Sequence, residues 1–135
     1  GEGSLTYDDS YNSKAHKEEI AFAQWLHNKM GGDIHLLNEQ NQNHVKTPDY
    51  IWNSKQWDLK SLSSEKAANS ALRKGINQIS ENPGGVMLDC RKFNVGEKTL
   101  LGVIEKRMKW HRDIEVDIMI VKSESDIRVI RYKQI

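Results

Sequence analysis

Apolar residues recur at two spacings along the chain, and the change of spacing predicts helices that alternate with strands. Three segments have apolar positions three or four residues apart, the spacing of a helix with one buried face; they are SKAHKEEIAFAQWLHNKMGG, SSEKAANSALRKGINQISEN and EKTLLGVIEKRMKWHRD. The pair Gly31-Gly32 is expected to end the first helix, and residues 82–85 (NPGG) the second. A serine followed by Glu65 predicts the N-terminal cap of that second helix.

Shorter apolar runs between these helices predict strands. PDYIW and KQWDLK are expected to form a hairpin with Asn53 and Ser54 at its turn, and VDIMIVK and IRVIRYK a second hairpin around SESD. DIHLL and GVMLDC read as single strands, and NEQNQNH as a polar loop. Helices interleaved with strands predict an α/β fold with a mixed central β-sheet flanked by helices.

Composition narrows the class of protein without identifying it. The 135 residues suffice for one domain, assigned to 1–135, with residues 1–14 read as a linker or an expression remnant. A net charge of +1 gives no global field that attracts a polyanion, so a nucleic-acid binder would need a local basic patch. The single cysteine, Cys90, excludes an internal disulfide framework. No apolar run approaches the roughly 18 residues of a membrane-spanning helix.

The first predicted hairpin carries the side chains that are the clearest candidates for a functional site. Side chains alternate between the two faces of a strand, so Asp58 and Lys60 point the same way while Trp57 and Leu59 point to the other face. This alternation predicts burial of Trp57 and Leu59 and leaves Asp58 and Lys60 at a shared site. Asp49 begins the partner strand, and the turn brings it close to Asp58. Two carboxylates and one amine are therefore expected to converge.

This combination of groups suits metal-assisted cleavage of a phosphodiester. Magnesium binds carboxylate oxygens and typically uses one or two of them, together with waters and substrate phosphate. A bound cation lowers the pKa of a water molecule, and a neighbouring lysine can stabilise charge in the transition state. Two carboxylates held close repel each other unless a cation lies between them. Asp49 and Asp58 are therefore candidate ligands of Mg²⁺ or another divalent cation such as Mn²⁺, and Lys60 a candidate catalytic residue.

Other interpretations of these residues stay open. An Asp-x-Lys tripeptide in a strand is more often a solvated surface pair. A metal-independent ribonuclease would instead need a histidine or glutamate base, for which His16 and His44 are candidates. Arg73 and Lys74, on the helix after the hairpin, are candidates for contact with substrate. The basic residues of the segment EKRMKWHRD, which surround Trp110, could bind phosphates. A solvated helix end would account for these basic residues equally well.

The motif PDY followed by WDLK resembles that of the PD-(D/E)XK nuclease superfamily, whose core is restriction-endonuclease-like. The block KTPDYIWNSKQWDLKS, with INQIS and VMLDC, looks more narrowly like the C-terminal tRNase toxin domains of contact-dependent growth inhibition proteins of the CdiA type. The resemblance covers roughly residues 15–95. In such nucleases a carboxylate on an early helix completes the metal site.

The resemblance implies a role for each matching residue. Asp49 and Asp58 would bind the metal and Lys60 would be the catalytic lysine. Glu19 would be the helix carboxylate, because its helix has an apolar face that points it inward, and Glu18 is the less well phased alternative. Ser61 would contact the scissile phosphate, and Gln78 matches a polar position on the following helix.

The resemblance also implies a biological role. The domain would be the tip of a larger exported bacterial surface or secreted protein, acting in the target-cell cytoplasm on tRNA. A cognate immunity protein would block it in the producing cell. Two alternatives remain at this point: a PD-(D/E)XK DNase of restriction, repair or DNA-degrading toxin type, and a non-enzymatic binding module whose acidic pair is a solvated surface.

Overall fold

A computed structural model describes residues 2–38, 47–79 and 84–132. Within these ranges the helices are α1 (Lys17–Met30), α2 (Ala67–Gln78) and α3 (Glu97–Met108). The strands are β1 (Leu5–Tyr7), β2 (Ile34–Leu36), β3 (Tyr50–Trp52), β4 (Lys55–Ser61), β5 (Gly85–Asp89), β6 (Val116–Ser123) and β7 (Asp126–Tyr132). None of the helices in the described part of the chain is long and apolar enough to cross a membrane.

The strands form one seven-stranded sheet in the order in which they occur along the chain. β1 pairs with β2, β4 with β5, and β5 with β6 in parallel, whereas the β2–β3, β3–β4 and β6–β7 pairs are antiparallel. Helices α2 and α3 provide the connections between the parallel strands β4, β5 and β6. The predicted α/β fold with a mixed, helix-flanked sheet is confirmed.

Both faces of the central strands are buried. Along β5, Val86 packs with residues of α2 and α3, whereas the next residue, Met87, packs with residues of α1. Since successive side chains of a strand point to opposite faces, α1 covers one face of the sheet and α2 with α3 the other. Every residue of β5 is buried, as expected of a parallel strand covered on both sides.

The β3–β4 hairpin forms at the predicted turn. Asn53 and Ser54 have φ angles of 50° and 68°, the left-handed conformation that a tight two-residue hairpin turn requires at both central positions. The turn sets a register in which Tyr50 lies opposite Trp57. This register places Asp49, immediately before β3, next to Asp58 in the middle of β4.

Some local predictions differ from the structure. The predicted serine cap of α2 is wrong: the helix begins at Ala67 after Lys66, without a side-chain cap, and Glu65 instead accepts a hydrogen bond of 2.8 Å from the Gly96 N–H. Helix α3 ends at Met108, five residues before the end of the predicted segment. Strand β1 was not predicted and lies within the segment read as a linker. Residues 39–44 of the predicted polar loop and the Asn82-Pro83 helix end lie outside the described residues.

Gly85, the first residue of β5, is expected to tolerate no side chain. A Cβ atom at this position would lie 2.1 Å from the ring of Trp57, which is 4% exposed and fixed in the core. We expect Gly85→Ala to lower the free energy of unfolding by about 1–3 kcal/mol or more through overpacking. The matched control is Gly102→Ala on the exposed side of α3, where a Cβ meets nothing within 4 Å.

At that control position the same substitution should raise stability by about 0.5–1 kcal/mol, because glycine disfavours a helix interior. Urea denaturation of the two variants checks both signs. Equal stability of the Gly85→Ala and wild-type proteins would contradict the packing of Trp57 against the start of β5.

Candidate active site

The hairpin brings the carboxyl groups of Asp49 and Asp58 into direct contact. The Asp49 N–H donates to the Trp57 carbonyl at 3.1 Å, and Asp49 Oδ2 accepts a hydrogen bond of 2.7 Å from the Leu59 N–H. Both the backbone and the side chain of Asp49 are therefore hydrogen-bonded to β4. The two carboxyl groups are close enough for each to shift the pKa of the other.

Lys60 adds a positive charge to the pair. Its Nζ lies 3.0 Å from Asp58 Oδ2, as expected for residues two positions apart on one face of a strand. Beyond this ion pair, Asp58 Oδ2 is a buried oxygen without a hydrogen-bond partner among the described residues. Such an oxygen retains the capacity to bind a further positive group.

Asp58 is more deeply buried than the sequence indicated. Alternation along the strand predicted burial of Trp57 and Leu59, yet Asp58 is only 3% exposed and Leu59 is half-buried. The reason is that β4 lies inside the sheet, between β3 and β5, with helices over both faces. The interpretation of Asp58 as a solvated surface group is therefore wrong.

Burial and proximity raise the pKa of both carboxyl groups. Burial, followed by the negative charge of Asp58 and the hydrogen bond with it, raises the pKa of Asp49 to about 8, although the Leu59 N–H acts in the opposite direction. Burial also raises the pKa of Asp58, and the hydrogen bond from Asp49 and the charge of Lys60 offset only part of that effect. Near neutral pH the pair therefore carries less than its full negative charge unless a cation binds.

Helix α1 brings a third carboxylate to the same place. Phe22 and Leu26 are buried on its apolar face, and the Phe22 ring stacks on Tyr50 with centroids 6.4 Å apart. The Tyr50 hydroxyl donates a 2.5 Å hydrogen bond to the backbone carbonyl of Glu19, which ties the first turn of α1 to the start of β3. Glu18, by contrast, is exposed and pairs with Lys92 at 3.3 Å. Glu19 is thus the carboxylate of α1 that faces the site.

These groups line one open cleft of about 160 Å³. Its lining consists of Tyr11, His16, Glu19, Leu37, Thr47, Pro48, Asp49, Asp58, Lys60 and Gln78. The structure therefore brings together the four predicted catalytic positions and one predicted substrate-binding position, Gln78.

The other three predicted substrate-binding residues lie outside the described lining. Ser61 is exposed at the end of β4, and Arg73 and Lys74 are exposed on α2. Lys74 is one helical turn before Gln78 and therefore on the same side of the helix. Contact of Ser61, Arg73 and Lys74 with substrate stays a prediction.

Sequence reasoning missed Tyr11 and Thr47 and treated His16 only as part of a rival mechanism. Tyr11 and His16 come from the segment between β1 and α1, which was read in part as a linker. Tyr11 and His16 line the cleft together with residues that are distant in the sequence. No pattern in the residues around them indicates this position. His44, the other rival base, lies outside the described residues.

The donor set fits a hard divalent cation with few protein ligands. Asp49 and Asp58 offer adjacent carboxylate oxygens, one of them without a hydrogen-bond partner. Among the described residues no three carboxylate, imidazole or thiolate groups converge into a closed ligand set. Glu19 therefore lines the cleft without completing a cage. Magnesium tolerates such a site, because it keeps several waters and binds one or two carboxylates plus phosphate oxygens.

The fold and the cleft together define the class: a mixed α/β domain with a buried acidic pair and a lysine at an open site. The family of the contact-dependent growth inhibition CdiA C-terminal domain matches residues 46–127, and the chain belongs to this family. The predicted contact-dependent growth inhibition toxin class is confirmed at this level. The matched residues include Asp49, Asp58 and Lys60, whereas Glu19 lies before them.

A solved structure has a similar fold. The chain is similar to one in the CdiA-CT/CdiI toxin and immunity complex from Burkholderia pseudomallei, with a TM-score of 0.59 and 17% sequence identity. The match covers 98% of this chain and 100% of that one. At this identity the likeness concerns the fold. No curated protein sequence matches the chain.

Proposed function

We propose that this domain is a metal-dependent endonuclease toxin that cleaves tRNA in target bacteria. The observation that carries the proposal is the contact between Asp49 and Asp58, with Lys60 beside them, in an open cleft. A buried acidic pair without a cation is electrostatically unfavourable. The cost of burying the Asp49–Asp58 pair is offset if a cation and a polyanionic substrate bind in the cleft.

Each residue has a chemical role in this proposal. Asp49 and Asp58 would hold Mg²⁺, which when bound supplies an activated water and neutralises charge on the phosphate. Lys60, with its ammonium at the edge of the pair and 27% exposed, can orient the attacking water or stabilise the charge that develops on phosphorus. Gln78 offers an amide that can hydrogen-bond to the substrate. Glu19 can bind waters around the site from the α1 side.

Family membership supports the biological side of the proposal. A C-terminal domain of contact-dependent growth inhibition would act as part of a larger bacterial surface protein and work in the target-cell cytoplasm. The similar fold in a toxin and immunity complex supports a cognate immunity protein as partner, which would protect the producing cell. The PD-(D/E)XK core is part of the proposal and is supported by the sequence motif and by the presence of Glu19 in the same cleft as Asp49, Asp58 and Lys60.

The first experiment incubates the purified domain with total tRNA and, separately, with plasmid DNA, each with Mg²⁺ or EDTA. We expect tRNA fragments that require Mg²⁺ and intact plasmid. Nicked plasmid with intact tRNA would keep the site and change the substrate to DNA. Cleavage that survives EDTA would exclude the metal site and direct attention to His16, which lines the cleft 3.7 Å from Glu19.

A further inference from the structure

Three aromatic rings lead from the surface into the cleft. The rings of Tyr7 and Tyr11 have centroids 5.4 Å apart at an interplanar angle of 47°, and those of Tyr11 and His16 are also 5.4 Å apart at 39°. Tyr7 is 40% exposed, whereas Tyr11 and His16 line the cleft that contains Asp49 and Asp58. We call Tyr7, Tyr11 and His16 the aromatic row.

A turn after β1 builds this row. Tyr7 is the last residue of β1, and the Tyr11 N–H donates a 3.1 Å hydrogen bond to the Asp8 carbonyl, which folds the chain back on itself. Ser10 adopts the left-handed conformation within this turn, with a φ angle of 59°. His16 then immediately precedes α1, the helix that carries Glu19. The row is thus continuous with the candidate active site and is held by the same helix.

The charges around the row favour a base over a phosphate. The tyrosine rings of the row carry no charge at physiological pH, because the ordinary pKa of a tyrosine hydroxyl is about 10. Glu19 lines the same cleft as Tyr11 and His16, and its negative charge does not attract phosphate oxygens to the rings themselves. Aromatic faces, in contrast, stack on nucleobases whatever their sequence.

We propose that the aromatic row stacks against unpaired bases next to the scissile phosphate, so that the domain selects single-stranded or looped segments of RNA. This inference rests on the proposed function and specifies the form of its substrate. Paired bases in a helix are already stacked on their neighbours and offer no free face, whereas the splayed bases of a loop do. Lys14 and Lys17, exposed on either side of His16 in the sequence, are available to bind the accompanying backbone phosphates.

The test compares removal of a ring with removal of a hydroxyl group. Tyr7→Ala and Tyr11→Leu delete rings, and the leucine keeps apolar packing at a position that contacts the α1-side core. Tyr7→Phe and Tyr11→Phe keep the rings. Val129→Ala is the control, since Val129 on β7 is 49% exposed, lies outside the described cleft lining and has no candidate role in binding. The probe is a single-stranded RNA oligonucleotide that contains 2-aminopurine, compared with the same sequence in a duplex.

Binding is measured in an Asp58→Asn background, in which cleavage is expected to be slower on the order of a thousandfold or more, and steady-state cleavage of tRNA is measured with Asp58 intact. We expect the ring deletions to weaken binding of the single strand about fivefold to a hundredfold, the usual range for one stacked base. The phenylalanine variants and Val129→Ala should bind as the parent does, and the duplex should bind poorly to every variant. In cleavage, ring deletion should raise KM more than it lowers kcat.

The outcomes separate this inference from the proposed function. If the protein with Asp58 intact cleaves tRNA but ring deletion leaves binding unchanged, the aromatic row is not a base platform. Phenylalanine variants that are as weak as the ring deletions would assign the effect to the hydroxyl groups and also overturn the stacking role. Ring-dependent binding of the single strand with no cleavage of any nucleic acid would support the row and overturn the nuclease.

Discussion

Replacement of Asp58 by asparagine is expected to lower the rate of tRNA cleavage on the order of a thousandfold or more, and at the same time to raise stability. Asparagine has nearly the same shape but no negative charge, so the cation loses one of two carboxylate ligands and its electrostatic contribution to the transition state. Burial makes the ionised form of Asp58 unfavourable, as its raised pKa indicates. In the absence of divalent cations, we expect a gain of about 1–2 kcal/mol in the free energy of unfolding.

Asp117 provides the matched control, because it is equally buried but fully paired. It is 5% exposed, forms an ion pair with Lys55, and accepts a 2.7 Å hydrogen bond from Arg131 Nε. Burial alone would raise the pKa of Asp117, but the hydrogen bonds from Arg131 and Lys55 outweigh it and the pKa lies below its ordinary value. Asp117→Asn should therefore lower stability by about 1–2 kcal/mol and leave cleavage near the wild-type rate at temperatures where the protein is folded.

Thermal unfolding and single-turnover cleavage, measured for Asp58→Asn and Asp117→Asn, test these two expectations. The expected pattern is opposite in sign for the two carboxylates: stability up and activity lost at position 58, stability down and activity kept at position 117. A rate within tenfold of the wild type for Asp58→Asn would remove Asp58 from the metal site. Equal destabilisation by both substitutions would contradict the electrostatic cost of the acidic pair.

The free energy of unfolding of the metal-free protein is expected to fall as the pH rises from about 4 to about 8. The pKa of Asp49 is about 8 in the folded protein and 3.8 ordinarily, so between these values the unfolded chain releases a proton that the folded chain retains. Raising the pH over this interval therefore favours the unfolded state, by up to about 1.4 kcal/mol per pH unit for one retained proton. Below this interval both states are protonated, and above it both are ionised.

The contribution of Asp49 is best measured as a difference, because His111 acts in the opposite direction: burial lowers the pKa of its imidazole. Urea denaturation at a series of pH values with EDTA, for the wild type and for Asp49→Asn, isolates the slope that belongs to the acidic pair. Mg²⁺ should flatten the wild-type slope, since a bound cation replaces the shared proton and binding releases it. Identical slopes in the two proteins would show that Asp49 is ionised when folded, and a slope insensitive to Mg²⁺ would argue against cation binding by the pair.

The contact between the two aspartates could be predicted from sequence because it depends on local chain geometry. The turn at Asn53-Ser54 sets the hairpin register, and the register alone brings Asp49 to Asp58. The same holds for α1, whose apolar spacing indicated that Glu19 rather than Glu18 faces inward. Features confined to one hairpin or one helix face are encoded within a few residues of each other.

Other features depend on which segments meet in space, and for these the sequence had no short-range signal. The depth of Asp58 follows from β4 having neighbours on both edges and helices on both faces. Strand β1 is three residues long, too short for alternation to be recognised, and its pairing with β2 spans 29 positions. Tyr11 lines the cleft from the segment that follows β1. The predicted serine cap is absent, and the carboxylate of Glu65 instead accepts a hydrogen bond from Gly96, a partner 31 residues away.

The order of strands in the sheet has a consequence for how the chain acquires its structure. Within the described ranges each strand pairs with the one that precedes it, so no strand must wait for a later segment before it finds its first partner. The hairpin pairings β3–β4 and β6–β7 join segments that are close along the chain and cost little loop entropy, whereas the parallel pairings β1–β2, β4–β5 and β5–β6 close much longer loops. A domain of this topology can assemble progressively from its first residues to its last. The β3–β4 hairpin, which brings Asp49 to Asp58, can therefore pair before the final hairpin, β6–β7, is formed.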